Sequence, residues 1–384
     1  MNNLSRRGGE DGVSVARFAL GDEMCQGEKE RGVGRGCLHR PWWENASPAW
    51  AMQASPPHPS PPPPLRDWMG VRPWHKAALF PLRIESPKRM STLKTPETTG
   101  KIIHLRDGRA LGYAEYGNPA GKPVFFFHGL PGSRLQRYPD DSIAAELHAR
   151  VITIDRPGLG LSDFQPGRKL LDWPADVAQL ADTLKIDKFA AMGLSGGGPY
   201  LLACAYKIPE RLTSAIVISG LAPLDRPGST RGMSWPGRIA FGIARKAPSW
   251  LIQLAFRPMA WIIQQSPARA SKILPISAPE ADRAVFTRPD VQAMDQEDLI
   301  EAYRNGVRGI SWEVVVATRP WGFRLEDVNT KIYLWQGEED TTVPLYMGKY
   351  IARTLPNCEA KFYPGEGHTL MFNYWREILA KALA

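Results

Sequence analysis

Three side chains in this chain of 384 residues have the types and the order needed for acyl transfer: Ser195, Asp340 and His368. A serine hydroxyl is a poor nucleophile at neutral pH unless a base takes its proton, and a histidine oriented by a carboxylate is the usual base. Ser195 lies in Phe189-Ala-Ala-Met-Gly-Leu-Ser-Gly-Gly-Gly-Pro-Tyr200, which reads as a strand, a sharp turn and a helix. At such a turn the serine takes strained backbone angles, so small residues are needed two positions before and after it, where Gly193 and Gly197 stand. Gly196 can then aim its backbone N–H at an oxyanion above the helix N-terminus.

Of the seven histidines only His368 follows Ser195, in the loop Pro364-Gly-Glu-Gly-His-Thr369. The acid is expected in Gln336-Gly-Glu-Glu-Asp-Thr-Thr-Val-Pro344, after the penultimate strand. Asp340 is the choice, while Glu338, Glu339 and the more distant Asp225 are alternatives that spacing leaves open. A second oxyanion donor should come from a loop at the end of a neighbouring strand, and His128-Gly-Leu-Pro-Gly-Ser133 fits. Gly129 lets the backbone turn so that the N–H of Leu130 points to the same spot as that of Gly196. His128 is expected to brace this loop and not to transfer protons.

These residues need a scaffold, and the pattern from Lys101 onward supplies one. Lys101–Leu105, a turn at Asp107-Gly108 and Ala110–Tyr116 predict an opening antiparallel ribbon. Pro123–His128 is a continuous apolar run, as for a strand buried on both faces of a parallel sheet. Strands at 150–155, 189–194, 212–219, 331–336 and 360–363 alternate with helices near 142–149, 172–184, 197–206, 346–353 and 370–383. That alternation predicts a doubly wound, mostly parallel eight-stranded α/β sheet. More than a hundred residues separate the sixth strand from the seventh, so a helical cap is expected at 222–324, between core segments 99–221 and 325–384. Its helices are read at 237–245, at 250–265 with a kink or break at Pro258, and at 279–286 and 289–304.

Taken together, His128-Gly129, Asp155-Arg-Pro-Gly-Leu-Gly-Leu-Ser-Asp163, Gly193–Gly197, Asp340 and His368 resemble the α/β-hydrolase superfamily with a helical cap, over about Lys101 to Ala384. The proline-iminopeptidase-like branch is similar in outline, but its oxyanion loop has two glycines after the histidine where this chain has Gly129 and Leu130. Haloalkane dehalogenases and epoxide hydrolases are similar too, yet they carry an aspartate at the position of Ser195. The resemblance implies a serine hydrolase of a small or medium ester by way of an acyl-enzyme, with amide, thioester or carbon–carbon bond substrates as variants of the same acyl chemistry. The alternatives are an aminopeptidase-like activity, for which the cap acids Glu280, Asp282, Glu297, Asp298 and Glu301 are available, and a hydrolase-derived ligand-binding protein with little turnover.

Composition narrows the classes further. A hydrophobic share of 43% with 23% charged residues fits a globular chain, and no apolar run is long enough for a membrane span. Cys25, Cys37, Cys204 and Cys358 lack metal spacing, so a reducing, cytoplasmic setting with no metal is expected, and because Gly196–Gly198 lacks the spacing of a dinucleotide or Walker loop no cofactor is expected either. The net charge of +9 lies mostly outside the segment bearing Ser195 and no nucleic-acid motif occurs, which leaves a small molecule as the expected partner. Between 222 and 272, however, eight Lys or Arg face the single acid Asp225, interleaved with Trp235, Phe241, Trp250, Phe256 and Trp261. That stretch is either a solvated basic face or one that draws amphiphilic substrates or touches anionic lipid weakly. Residues 1–98, with the tract Pro56–Pro64, read as a disordered extension, of which 1 to about 89 are expected to be dispensable for folding and catalysis, with Met90 as a functional start.

Overall fold

The computed structural model describes residues 14–16, 100–225, 229–273 and 278–384. The strands are β1 (Ser14–Ala16), β2 (Lys101–His104), β3 (Ala110–Gly117), β4 (Lys122–Phe127), β5 (Ala149–Ile154), β6 (Phe189–Leu194), β7 (Leu212–Ile218), β8 (Ile332–Gly337) and β9 (Cys358–Tyr363). They form one sheet in the order β1-β9-β8-β7-β6-β4-β5-β3-β2. Pairing from β5 through β4 and β6 to β9 is parallel, while β3 runs antiparallel to both β2 and β5. The eight expected strands are therefore present. A ninth, β1, pairs antiparallel with β9. The rest of 1–98, including the expected disordered extension, lies outside the described residues.

The helices are α1 (Ser142–Glu146), α2 (Trp173–Thr183), α3 (Gly198–Lys207), α4 (Trp235–Ala244), α5 (Ser249–Gln265), α6 (Pro267–Ile273), α7 (Glu280–Phe286), α8 (Pro289–Ala302), α9 (Arg308–Thr318), α10 (Leu345–Thr354) and α11 (Met371–Leu383). Alternation along β4 explains its apolar run: Phe125 and Phe127 pack with Trp173 of α2 and Leu201 of α3, and Val124 and Phe126 with Trp375 and Ile378 of α11. Both sheet faces are thereby covered, so the strand cannot alternate apolar with polar residues.

Helices α4 to α9 fill the interval between β7 and β8. Three of them depart from the sequence reading: α5, α9 and the short α6, where no helix was expected. Helix α5 runs through Pro258 without interruption, because its buried side, Ile252, Ala260 and Ile263, packs along its whole length and outweighs one missing hydrogen bond. Helix α9 was not anticipated, since its Val314-Val315-Val316 run favours strand by propensity. Burial overrides that preference here, with all three valines buried.

The turn after β6 shows how tightly the scaffold constrains its glycines. A Cβ on Gly193 would come within 2.6 Å of Gly197 O, and one on Gly197 would collide with Phe127 O and lie 2.8 Å from His128 O. Those obstacles are backbone and cannot step aside. We expect Gly197→Ala to cost about 3 kcal/mol or more in urea denaturation, whereas Gly242→Ala, in α4 with open space around it, should gain up to about 1 kcal/mol.

Candidate active site

Strand β6 delivers Ser195 to the C-terminal edge of the sheet, where the backbone reverses with φ of +52° before α3 begins. A non-glycine residue rarely adopts that angle, and packing of Gly193 against Gly197 holds it there. Ser195 faces a cavity of about 220 Å³ whose wall also includes Gly129, Leu130, Asp282, Asp298 and His368.

The loop after β9 carries His368, and the loop after β8 carries Asp340. Their side chains meet, with Nδ1 of His368 2.8 Å from Oδ2 of Asp340. An ionised carboxylate only accepts, so Nδ1 holds the proton and Nε2 keeps its lone pair. Asp340 is buried and fully engaged: Oδ1 accepts from the backbone N–H groups of Thr342 and Val343 at 2.9 and 2.7 Å, and Oδ2 accepts from Gln336 Nε2 at 3.0 Å. Burial by itself would lower the pKa of His368, but the adjoining Asp340 carboxylate overrides it and holds the group above the ordinary 6.5. Glu338 and Glu339 are exposed, and Asp225 lines a separate cavity with Trp321 and Arg324. None of these three alternatives meets His368.

The loop after β4 lies against the turn after β6. Leu130 N is 3.3 Å from where a Cβ on Gly196 would sit, and the Leu130 N–H has no acceptor among the described residues. The neighbouring Gly129 N–H is already used, donating to Gln136 Oε1 at 2.6 Å. His128 is fully buried, with Nδ1 2.9 Å from Gly129 O, and burial holds it well below the usual imidazole range. Its ring nitrogens lie against the backbone of that loop and of Arg156.

A second layer of charge holds this loop, and sequence reasoning missed most of it. Arg156 donates from Nη1 to His128 O at 2.5 Å, from Nη2 to Gly129 O at 2.7 Å and from Nε to Glu313 Oε2 at 2.5 Å. Because a trans peptide points its C=O and N–H in opposite directions, fixing Gly129 O fixes the heading of the Leu130 N–H. Glu313, on α9, also accepts from Arg168 Nη2 and from the Tyr200 hydroxyl. Burial alone would raise Glu313, but the guanidiniums of Arg156 and Arg168 hold it down at about 2.

Two further acids of α8 grip the same loop. Asp298 accepts from Ser133 N and Oγ, both at 2.7 Å, and Glu301 from Arg134 Nη1 at 2.5 Å. Arg134 also binds Asp155, which accepts from Leu161 N at 2.8 Å and explains the run after β5. Of the expected cap acids, Asp282 and Asp298 line the cavity, Glu301 is buried beside Arg134, and Glu280 is exposed, with Glu297 3.8 Å from Arg137. Asp295 was not singled out, although it is one turn before Asp298 on α8 and in the cavity wall. It has no hydrogen-bond partner among the described residues, and burial pushes its carboxyl up to about 7. Asp282 Oδ2 likewise lacks a partner.

Residues 122–373 match the family model of the alpha/beta hydrolase fold. A proline iminopeptidase from Xylella fastidiosa is 33% identical over 134 residues, which is 33% of this chain and 40% of that protein, so the chain spans less than half the length of this relative. Among solved structures, a hydrolase from Pseudomonas aeruginosa aligns with a TM-score of 0.55 at 16% identity, covering 75% of this chain and 99% of that one. An esterase from Rhodococcus gives 0.54 at 19%, covering 74% and 99%. At such identities these two likenesses concern the fold.

The charge layer yields a sharp test. Glu313 has a folded pKa of about 2 against an ordinary 4.5, so it stabilises the fold fully above pH 4.5 and loses that contribution as pH falls toward 2. Removing one partner of a buried pair typically costs about 3–5 kcal/mol. We expect Glu313→Gln to lose stability of that order at pH 7 by urea denaturation, and to lose less additional stability than the parent chain on acidification through that window.

Proposed function

The chain belongs to the α/β-hydrolase fold family, and from that premise we propose that it is a serine hydrolase that cleaves a small to medium ester through an acyl-enzyme. The observation that carries this reading is the convergence of Ser195 and His368 on one cavity, with His368 Nδ1 2.8 Å from the buried Asp340. In the proposed reaction Ser195 Oγ attacks the acyl carbon while His368 Nε2 takes its proton. The oxyanion forms between the N–H groups of Leu130 and Gly196, in a dry site where oriented donors stabilise charge as it develops. Collapse leaves the acyl group on Ser195, and the alcohol departs with the proton from His368. Water then repeats the steps in reverse order of roles. Asp340 keeps the imidazole in the tautomer that accepts at Nε2. Residues 222–324 act as a cap over the cavity, between the core segments 99–221 and 325–384.

Labelling with a fluorophosphonate and turnover of p-nitrophenyl esters of graded chain length test this. Ser195→Ala and His368→Ala are expected to lower kcat by roughly 10⁴ to 10⁶-fold, and Asp340→Asn by somewhat less. Full activity of Ser195→Ala overturns the mechanism. The base must be neutral to act, so kcat/KM should rise with pH through a pKa above 6.5, and Asp340→Asn should move that limb to lower pH.

A second reading, an aminopeptidase-like hydrolase, is favoured by the unpaired Asp295 and the free Oδ2 of Asp282 in the same cavity. A carboxylate there would hold a substrate ammonium group. Since Asp295 ionises near 7, KM for an amino-acid naphthylamide should fall as pH rises through that value, and Asp295→Asn should abolish the dependence. Equal pH profiles for the naphthylamide in parent and variant, with the ester still cleaved, exclude the second reading and leave the first intact.

A further inference from the structure

Of the ten large apolar side chains that stand exposed among the described residues, eight lie between 235 and 273. Helix α4 presents Trp235, Ile239 and Ile243, each four residues apart and therefore on one face. Helix α5 is apolar on two sides. Ile252, Ala260 and Ile263 are buried, whereas Trp250, Leu254 and Trp261 are at least half exposed and fall within roughly 40° of one another around the helix. A helix that is apolar all round is ordinarily enclosed, yet the outer stripe of α5 is open.

Charge on this surface has a single sign. Arg231, Arg238, Arg245, Lys246, Arg257 and Arg269 are exposed, and none pairs with a carboxylate among the described residues. No Asp or Glu occurs from 229 to 273. Arg257 falls on the same stripe of α5 as Trp250 and Trp261.

We propose that the outer face of α4 and α5 docks on the anionic surface of a lipid bilayer. A second copy of the chain would set these cations against one another, which opposes association. A nucleic acid would use the cations and stack on the indoles, but it offers nothing to Ile239, Ile243 and Leu254. A bilayer interface accommodates all three classes: cations at the phosphates, indoles at headgroup depth and aliphatic chains at the acyl boundary. No helix among the described residues is long and apolar enough to cross a membrane, so the contact is peripheral. The inner side of α5 carries Phe256, which packs on the same apolar clusters as Leu130 of the loop after β4.

Co-sedimentation of the full chain with vesicles of phosphatidylcholine alone, and of an equimolar phosphatidylcholine–phosphatidylserine mixture, tests the proposal. The chain is expected in the pellet with the mixed vesicles and in the supernatant with phosphatidylcholine. Changing Trp235, Trp250 and Trp261 together to serine should lower partitioning by roughly tenfold or more. Arg238→Gln or Arg257→Gln should each lower it about fivefold at low ionic strength, a difference that high salt removes. An unchanged thermal melt and unchanged turnover of a water-soluble ester would tie these losses to the surface. Partitioning that the tryptophan and arginine variants leave unaltered overturns the proposal. So does an absence of vesicle binding accompanied by a dimer, or by an oligonucleotide complex, that the tryptophan variant loses.

Discussion

A single carboxylate, Glu313, sits between the guanidiniums of Arg156 and Arg168 with all three groups out of contact with water. Such an arrangement is stable only where the charges are paired with one another, because an uncompensated buried charge costs several kcal/mol. Meeting that demand fixes three parts of the molecule at once. Arg156 reaches the carbonyls after β4, Arg168 and Tyr200 lie beside it in the core, and Glu313 brings α9 down from the inserted helices. The site wall therefore inherits its geometry from electrostatics as much as from the sheet.

The insertion divides its charges by position. Acids of its second half, Asp298, Glu301 and Glu313, point inward and bind the loop after β4 or its supports. Cations of its first half point outward, where solvent screens them. This sorting reconciles a net positive insertion with a cavity that holds the unpartnered Oδ2 of Asp282 and the carboxyl of Asp295.

What could be read from the sequence was whatever depends on neighbours along the chain. The turn at Ser195 was legible because its two glycines stand at fixed offsets, and the sheet because β4 to β7 repeat an apolar run every few tens of residues. The order Ser195, Asp340, His368 followed from those strands. Glu313 and Asp295 were not legible, since neither has a local signature: one matters through partners 157 and 145 residues away, the other through lacking a partner. Helix α9 was hidden by three consecutive valines, and β1 by a segment of only three residues.

Leu130 belongs to two environments at once. Its backbone nitrogen lies beside Gly196 at the cavity wall, while its side chain joins the apolar clusters of α5, α8 and α9. A glycine there would leave that peptide free of the insertion; leucine rivets it in place. Grafting a different set of inserted helices between β7 and β8 would consequently remove the mould that shapes Leu130 together with the charge that holds its peptide. Insertion and sheet form an indivisible inheritance, and any redesign of these helices must treat Leu130, Arg156 and Glu313 as one exchangeable unit.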